Sequence, residues 1–121
     1  MTASGPGFIS LQVRDIEASA AFYEKYLGFA RQAGPPHAVV FATTPAAFAV
    51  RDAMPGVDLN SGAQLGLGIG VWMYAPDAQQ IHDTLVADGF TITSAPVDGP
   101  FGRTFTFADP DGYAITLHDK A

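Results

Sequence analysis

The chain closes on a segment whose residue types could do chemistry: Phe107-Ala-Asp-Pro-Asp-Gly-Tyr-Ala-Ile-Thr-Leu-His-Asp119. Asp-Pro-Asp-Gly is turn chemistry, because Pro presets one dihedral, Asp caps its own backbone and Gly accepts a left-handed conformation. The residues after it alternate, so Ala114, Thr116 and His118 share one face of a strand. Such a polar row faces solvent, a metal or a bound molecule. Imidazole chemistry would let His118 act as an acid or base, or contact a ligand. Plain exposure near the chain end is the alternative.

Trp72, the single tryptophan, stands two residues after Gly70 and shares its strand face. A flat indole beside open space is suited to stacking an aromatic or cationic ligand. Filling the core or a subunit interface are the other uses of such a residue. Phe8 and Ser10 share a face of the first strand, and Phe8 is either a buried ring or an apolar ligand contact. Ala49 and Arg51 share a face of a later strand. Arg51 would bind an anionic group, unless Asp52 or Asp58 occupies it. Phe101 and Arg103 enter a strand after Asp98-Gly-Pro and read as a rim. His82 and His37 read as solvent-exposed residues of a helix and a loop. The candidate ligand-binding set is Phe8, Ser10, Arg51, Trp72, Phe101, Thr116 and His118. No residue stands out as catalytic.

Familiar catalytic motifs are missing. Gly66-Leu-Gly-Ile-Gly70 lacks the spacing of a phosphate-binding loop and reads as part of a strand. There is no G-x-S-x-G and no H-E-x-x-H. No pair of histidines has metal-ligand spacing.

The elements that must carry these residues come in two copies. Phe8 to Val13 alternates as a strand, with Ile9, Leu11 and Val13 toward a covering helix. Asp15 then caps a helix whose stripe is Ile16, Ala20, Tyr23 and Leu27, and Gly28 ends it. Ala38–Thr43 and Ala47–Arg51 read as strands. The segment from Asp52 to Ala63, rich in turn formers, reads as a connection. The pattern then restarts with a strand from Leu67 to Tyr74. Asp77 begins a helix striped by Ala78, Ile81 and Leu85, with Gln80 placed for a capping box and Gly89 as terminator. Strands follow at Thr91–Ser94, Gly102–Phe107 and Tyr113–His118. Internal duplication is the strongest organising signal in the sequence. It predicts an α+β fold of two tandem βαβββ modules, forming a curled, mostly antiparallel eight-stranded sheet around a cavity. The expected layout is one domain over 1–121, with module one at about 8–56, a linker at about 57–63 and module two at about 64–119.

Composition narrows the classes. At 121 residues with 48% hydrophobic content, the chain can build a folded core. A net charge of −6 argues against nucleic acid as a partner, since that affinity rests on clustered cations. No apolar run suits a membrane span, and no leader is readable, so the expected compartment is the cytoplasm. With no cysteine there are no disulfides, thiolate metal sites or thiol nucleophiles.

The Phe22-Tyr-Glu-Lys-Tyr-Leu-Gly-Phe29 helix end, the duplicated plan and the closing hairpin together resemble the vicinal oxygen chelate superfamily. That group includes glyoxalase I, extradiol dioxygenases, fosfomycin-resistance proteins and bleomycin-resistance binding proteins. The resemblance runs from Phe8 to Asp119. It implies that metal-dependent members place ligands, usually His, Gln or Glu, at four positions, which fall here on Phe8, Ala49, Gly70 and Thr116. Those residues do not make a divalent site. Gln12, Gln64 and His118 are the other nitrogen or oxygen donors nearby. The resemblance also adds Ala49 to the candidate ligand-binding set. The reading that follows is a metal-free protein without cofactor. It would sequester a small aromatic, and optionally cationic, natural product or antibiotic, as bleomycin-resistance proteins do, rather than turn it over. The resemblance also implies a homodimer. The alternative is a metal-dependent glyoxalase or dioxygenase-type lyase or isomerase with non-standard ligands.

Overall fold

The computed structural model describes residues 1–121. The chain divides into two compact units, residues 1–62 and 63–121. No helix is long and apolar enough to cross a membrane.

The first unit runs β1 (Phe8–Gln12), α1 (Ile16–Leu27), β2 (Arg31–Gln32), β3 (Ala38–Phe41) and β4 (Ala47–Arg51). Its sheet has the order β1-β4-β3-β2, with β1 parallel to β4 and the other neighbours antiparallel. Helix α1 starts and stops where its sequence says it should. The Asp15 carboxylate accepts a hydrogen bond from the Ala18 amide at 3.0 Å, filling one orphan donor of the first turn. Gly28 adopts φ 70° and donates its N–H to the Tyr23 carbonyl. The helix buries Ala20, Phe22 and Tyr23. Tyr23 lies 5.1 Å from the Phe48 ring and stacks on Phe29 at 6.1 Å. Strand alternation puts Leu11, Phe41, Phe48 and Val50 on this helix side, all fully or nearly buried.

β2 is absent from the sequence reading. Two residues are too short for any periodic signal, and the Gly-Pro-Pro that follows reads as loop. The strand exists because Arg31 and Gln32 pair with Phe41 and Val40. Arg31 is also clamped by Glu17 and Glu24 of α1, both at 2.9 Å.

The second unit repeats the order: β5 (Val71–Tyr74), α2 (Ala78–Ala87), β6 (Ile92–Gly99), β7 (Gly102–Ala108) and β8 (Ala114–His118). Its sheet order, β5-β8-β7-β6, matches the first, again with one parallel pair, β5 with β8. The α+β, two-module plan is thus present. Its eight strands form two four-stranded mixed sheets rather than one hydrogen-bonded ladder. Helix α2 buries Ala78, Ile81 and Leu85. On the helix side of the sheet, Phe105, Phe107, Ile115 and Leu117 are no more than 1% exposed. Each such side chain contributes roughly 2 kcal/mol of burial.

Several local expectations are corrected here. The Asp77 side chain makes no capping hydrogen bond, so the capping box does not form. β5 begins at Val71 rather than Leu67, because Gly66 and Gly68 take φ 71° and 88° and turn the chain. β6 extends to Gly99 through Pro96, which is tolerated because β6 is the sheet edge and its register is irregular there. His82 is not free in solvent: its ring lies edge-on to Phe105 at 5.2 Å, and Nδ1 is 2.9 Å from the Asp83 carboxylate.

Candidate functional site

The duplication can be checked residue by residue through the ladders. In the first unit the Val13 amide donates to the Arg51 carbonyl at 2.8 Å. In the second, the Ala75 amide donates to the His118 carbonyl at the same distance. Counting back from these matched bonds pairs Gln12 with Tyr74, Ser10 with Trp72 and Phe8 with Gly70. The partner strands pair Arg51 with His118 and Ala49 with Thr116. The two units share this framework and diverge in what they mount on it.

In the first unit two of the mounted groups, Gln12 and Arg51, are polar and engaged. The Gln12 amide oxygen accepts from the Met54 amide at 2.8 Å. Arg51 donates to the Asp52 carbonyl at 3.0 Å and contacts its carboxylate at 3.3 Å, so the nearby acid does occupy it. Ala49 is fully buried and has no surface to offer a ligand. Phe8 and Ser10 are exposed on β1, and Phe8 keeps 55% of its surface.

In the second unit the corresponding face is aromatic and open. Trp72 and Tyr74 project from β5, His118 from β8, and Phe101 from the turn joining β6 to β7. The His118 ring is the hub, 6.1 Å from Trp72, 5.9 Å from Tyr74 and 6.0 Å from Phe101. Trp72 and Phe101 meet edge-on at 5.7 Å and 68°. All three outer rings remain more than half exposed. Three large aromatic groups left this open around an imidazole make a surface that monomeric proteins seldom leave unused.

Local chemistry explains the placement. Gly99 pairs with Gly102, so Pro100 and Phe101 form the tip of a tight hairpin. Gly102 has φ 81°, and a Cβ there would collide with the Asp119 carboxylate. That carboxylate also accepts from the Arg103 amide at 2.7 Å, tying the tip to the chain end. The Arg103 side chain is a brace rather than a rim group, reaching Asp98 through two nitrogens and Gln79 through a third, each at 2.9 Å. The hydrogen bond and charge of Arg103 hold the Asp98 carboxyl below its ordinary value. Beside Trp72, Gly70 leaves the indole edge clear, since a Cβ there would just touch the ring at 3.4 Å. The closing turn is held by Asp109, whose buried carboxylate accepts from the amides of Asp111 and Tyr113 at 3.0 and 2.9 Å.

Of the residues singled out from the sequence, Trp72, Phe101 and His118 therefore come together, with Thr116 beside Trp72 in the strand register. Phe8, Ser10, Ala49 and Arg51 belong to the other unit. Tyr74 was not singled out, although its spacing of two from Trp72 put it on the same face. Lys120 was missed as well: its backbone carbonyl accepts from His118 Nδ1 at 3.0 Å, and no side-chain pattern announces such a bond.

The residues present do not fit the divalent metal that the family resemblance implies for its metal-dependent members. Phe8, Ala49 and Gly70 have no side-chain lone pairs. Thr116 is nine-tenths buried, and its hydroxyl is 2.7 Å from that of Thr106. Elsewhere, no three His, Asp or Glu side chains gather in a geometry suited to an ion.

Comparison with known proteins places this fold. TnmS3, an antibiotic-binding protein from Streptomyces sp. CB03234, superposes with a TM-score of 0.74 at 25% identity, covering 100% of this chain and 99% of its own. A glyoxalase/bleomycin resistance protein from the same strain gives 0.69 at 26% identity, covering 94% and 99%. Lactoylglutathione lyase from Agrobacterium tumefaciens gives 0.67 at 18% identity, covering 98% and 95%, a likeness of fold alone. No curated protein sequence matches the chain significantly. The model of one family matches residues 5–117, and the chain belongs to that family, the Glyoxalase/Bleomycin resistance protein/Dioxygenase superfamily.

Proposed function

We propose that this protein binds and sequesters a flat aromatic small molecule of the antibiotic kind, without turnover and without a metal. The observation that carries the reading is the open cluster of Trp72, Tyr74 and Phe101 around His118. Covering about 100 Å² of such ring surface contributes roughly 2.5 kcal/mol at ~25 cal/mol per Å². Aromatic geometry adds about 1 kcal/mol per pair. Association itself costs several kcal/mol, so useful affinity requires a ligand broad enough to touch more than one ring. The likeness to TnmS3, an antibiotic-binding protein, supports the antibiotic part of this reading.

Charge favours neutral or cationic aromatics. The net charge is −6, and the cations of the second unit are Arg103 and Lys120, of which Arg103 is tied to Asp98. The proposal includes a homodimer, in which a second copy would cover apolar side chains such as Leu67 and Ile69, now 83% and 74% exposed. Sedimentation showing a monomer at tens of micromolar would remove that part alone.

The direct experiment is titration of Trp72 fluorescence with a panel of flat aromatic antibiotics, paired with elemental analysis of the purified protein. Saturable quenching by a member of the panel, with no stoichiometric metal, is the expected result. Stoichiometric zinc, iron, nickel or manganese, with turnover that depends on it, would replace this reading by a metal-dependent lyase or isomerase.

A further inference from the structure

We infer that His118 makes the site selective for aromatic ligands bearing a hydroxyl on the ring, by presenting Nε2 as a bare hydrogen-bond acceptor. The inference rests on the aromatic-site reading above and adds to it a chemical class of ligand.

The other ring nitrogen sets the tautomer. Nδ1 lies 3.0 Å from the Lys120 carbonyl oxygen. A carbonyl oxygen can only accept, so Nδ1 must carry the proton. In the neutral imidazole this leaves Nε2 without one, as a lone-pair acceptor. Nε2 has no protein partner, and it is not among the buried polar atoms that lack one, so it remains open to solvent. Of the three rings around it, Phe101 has no polar atom and Trp72 offers only a donor, Nε1, while the Tyr74 hydroxyl donates or accepts. A ligand laid on this surface therefore meets apolar ring faces and, in Nε2, the one polar atom that can only accept. A phenolic O–H lies in the plane of its ring, so one rigid group can stack and donate together.

Selectivity arises more from the wrong ligand than from the right one. An aromatic without a donor that covers the patch strips water from Nε2 and returns nothing. The matching phenol replaces that water with its own hydrogen bond. A net difference of about tenfold in affinity is expected between otherwise equal ligands.

The test uses a matched pair of probes, 2-naphthol and its methyl ether 2-methoxynaphthalene, with the full chain labelled with ¹⁵N-histidine. Before any probe is added, the His118 ring in neutral protein should show a protonated Nδ1 and a bare, pyridine-type Nε2. Adding 2-naphthol should move the Nε2 resonance and leave Nδ1 in place, while the ether should not move Nε2. Both probes should quench Trp72, with 2-naphthol bound about tenfold more tightly. His118→Phe keeps a ring at the hub but removes the acceptor that the ether leaves unpaired, so it should tighten the ether toward 2-naphthol and abolish the preference.

Equal affinity for both probes, with Trp72 quenched by each, would overturn the acceptor role and leave the aromatic site standing. So would a ring whose neutral form carries its proton on Nε2, or a preference that survives in His118→Phe. If neither probe reaches Trp72 at its solubility limit, the aromatic site itself fails, and the role of His118 with it.

Discussion

The hydroxyls of Thr106 and Thr116 stand 2.7 Å apart across the β7–β8 ladder. Thr116 occupies the position where metal-dependent relatives are expected to supply a carboxylate, and its one polar atom is committed to a neighbouring strand. The equivalent residue of the first unit, Ala49, is fully buried and has none to commit. Restoring one ligand should therefore not restore a site. Thr116→Glu is expected to bind no stoichiometric metal by elemental analysis and to lower the urea midpoint, because it places a carboxylate at a nearly buried position. Thr116→Val, which leaves Thr106 without its partner, should cost about 1 kcal/mol in the same unfolding experiment.

Trp72 is more than half exposed, and within the protein it contacts Phe101 and His118 through its ring. Its removal should be felt in binding far more than in folding. Trp72→Ala is expected to weaken an aromatic ligand by roughly 1.5–3 kcal/mol, which is about ten- to a hundredfold. Isothermal titration checks the affinity. A thermal melt of the free protein should move by only about a degree or two.

The hairpin tip depends on one glycine. At Gly102 a left-handed φ of 81° coincides with close approach by Asp119 and by the Lys120 amide, which would lie 3.0 Å from a Cβ. Gly102→Ala should cost more than about 2 kcal/mol, since strain and collision both apply. Because the turn carries Phe101, the variant should also lose affinity for aromatic ligands while folded. Chemical denaturation and a ligand titration on the same sample separate the two effects.

The closing turn depends on Asp109, whose carboxylate replaces two backbone acceptors in a buried place. Asp109→Ala leaves two amides without this partner and should destabilise by about 2–3 kcal/mol. Asp109→Asn keeps an acceptor oxygen and should recover part of that loss. Urea unfolding of the three proteins gives the order.

Acid should act on the Asp98–Arg103 brace. The hydrogen bond from Arg103, and then its charge, hold the Asp98 carboxyl below its ordinary value of 3.8. The unfolded chain therefore takes up this proton more readily than the folded one. The stabilisation is whole above about pH 3.8 and is lost as pH falls through the lower folded value. Relative to Asp98→Asn, the native protein should show an advantage that is constant above that pH and fades below it. The pair is solvent-exposed, so the advantage should shrink in 0.5 M salt. Denaturation midpoints across an acid series measure it.

Much of the fold could be read in advance because its signals are local. Asp15 and Gly28 bracket α1 through bonds that reach only a few residues, and alternation separates Trp72 and Tyr74 from Val71 and Met73 over a single strand. β2 left no trace, because two residues acquire strand geometry only by pairing with β3. The pairing of His82 with Phe105 depends on how α2 lies on its sheet, which no run of consecutive residues encodes.

For the site the division is sharper. The sequence by itself determined the duplicated plan, the face on which Trp72, Thr116 and His118 stand, and the lack of metal donors at Phe8, Ala49, Gly70 and Thr116. Period-two alternation sets the face, the repeated order of elements shows the duplication, and the family resemblance says which four positions to inspect. Only the tertiary structure decided that Trp72, Tyr74 and Phe101 gather around His118, since ladder register brings distant segments together. It alone also decided which imidazole nitrogen is left without a protein partner. That choice rests on a hydrogen bond to the Lys120 carbonyl, a group every residue carries and no sequence pattern can single out.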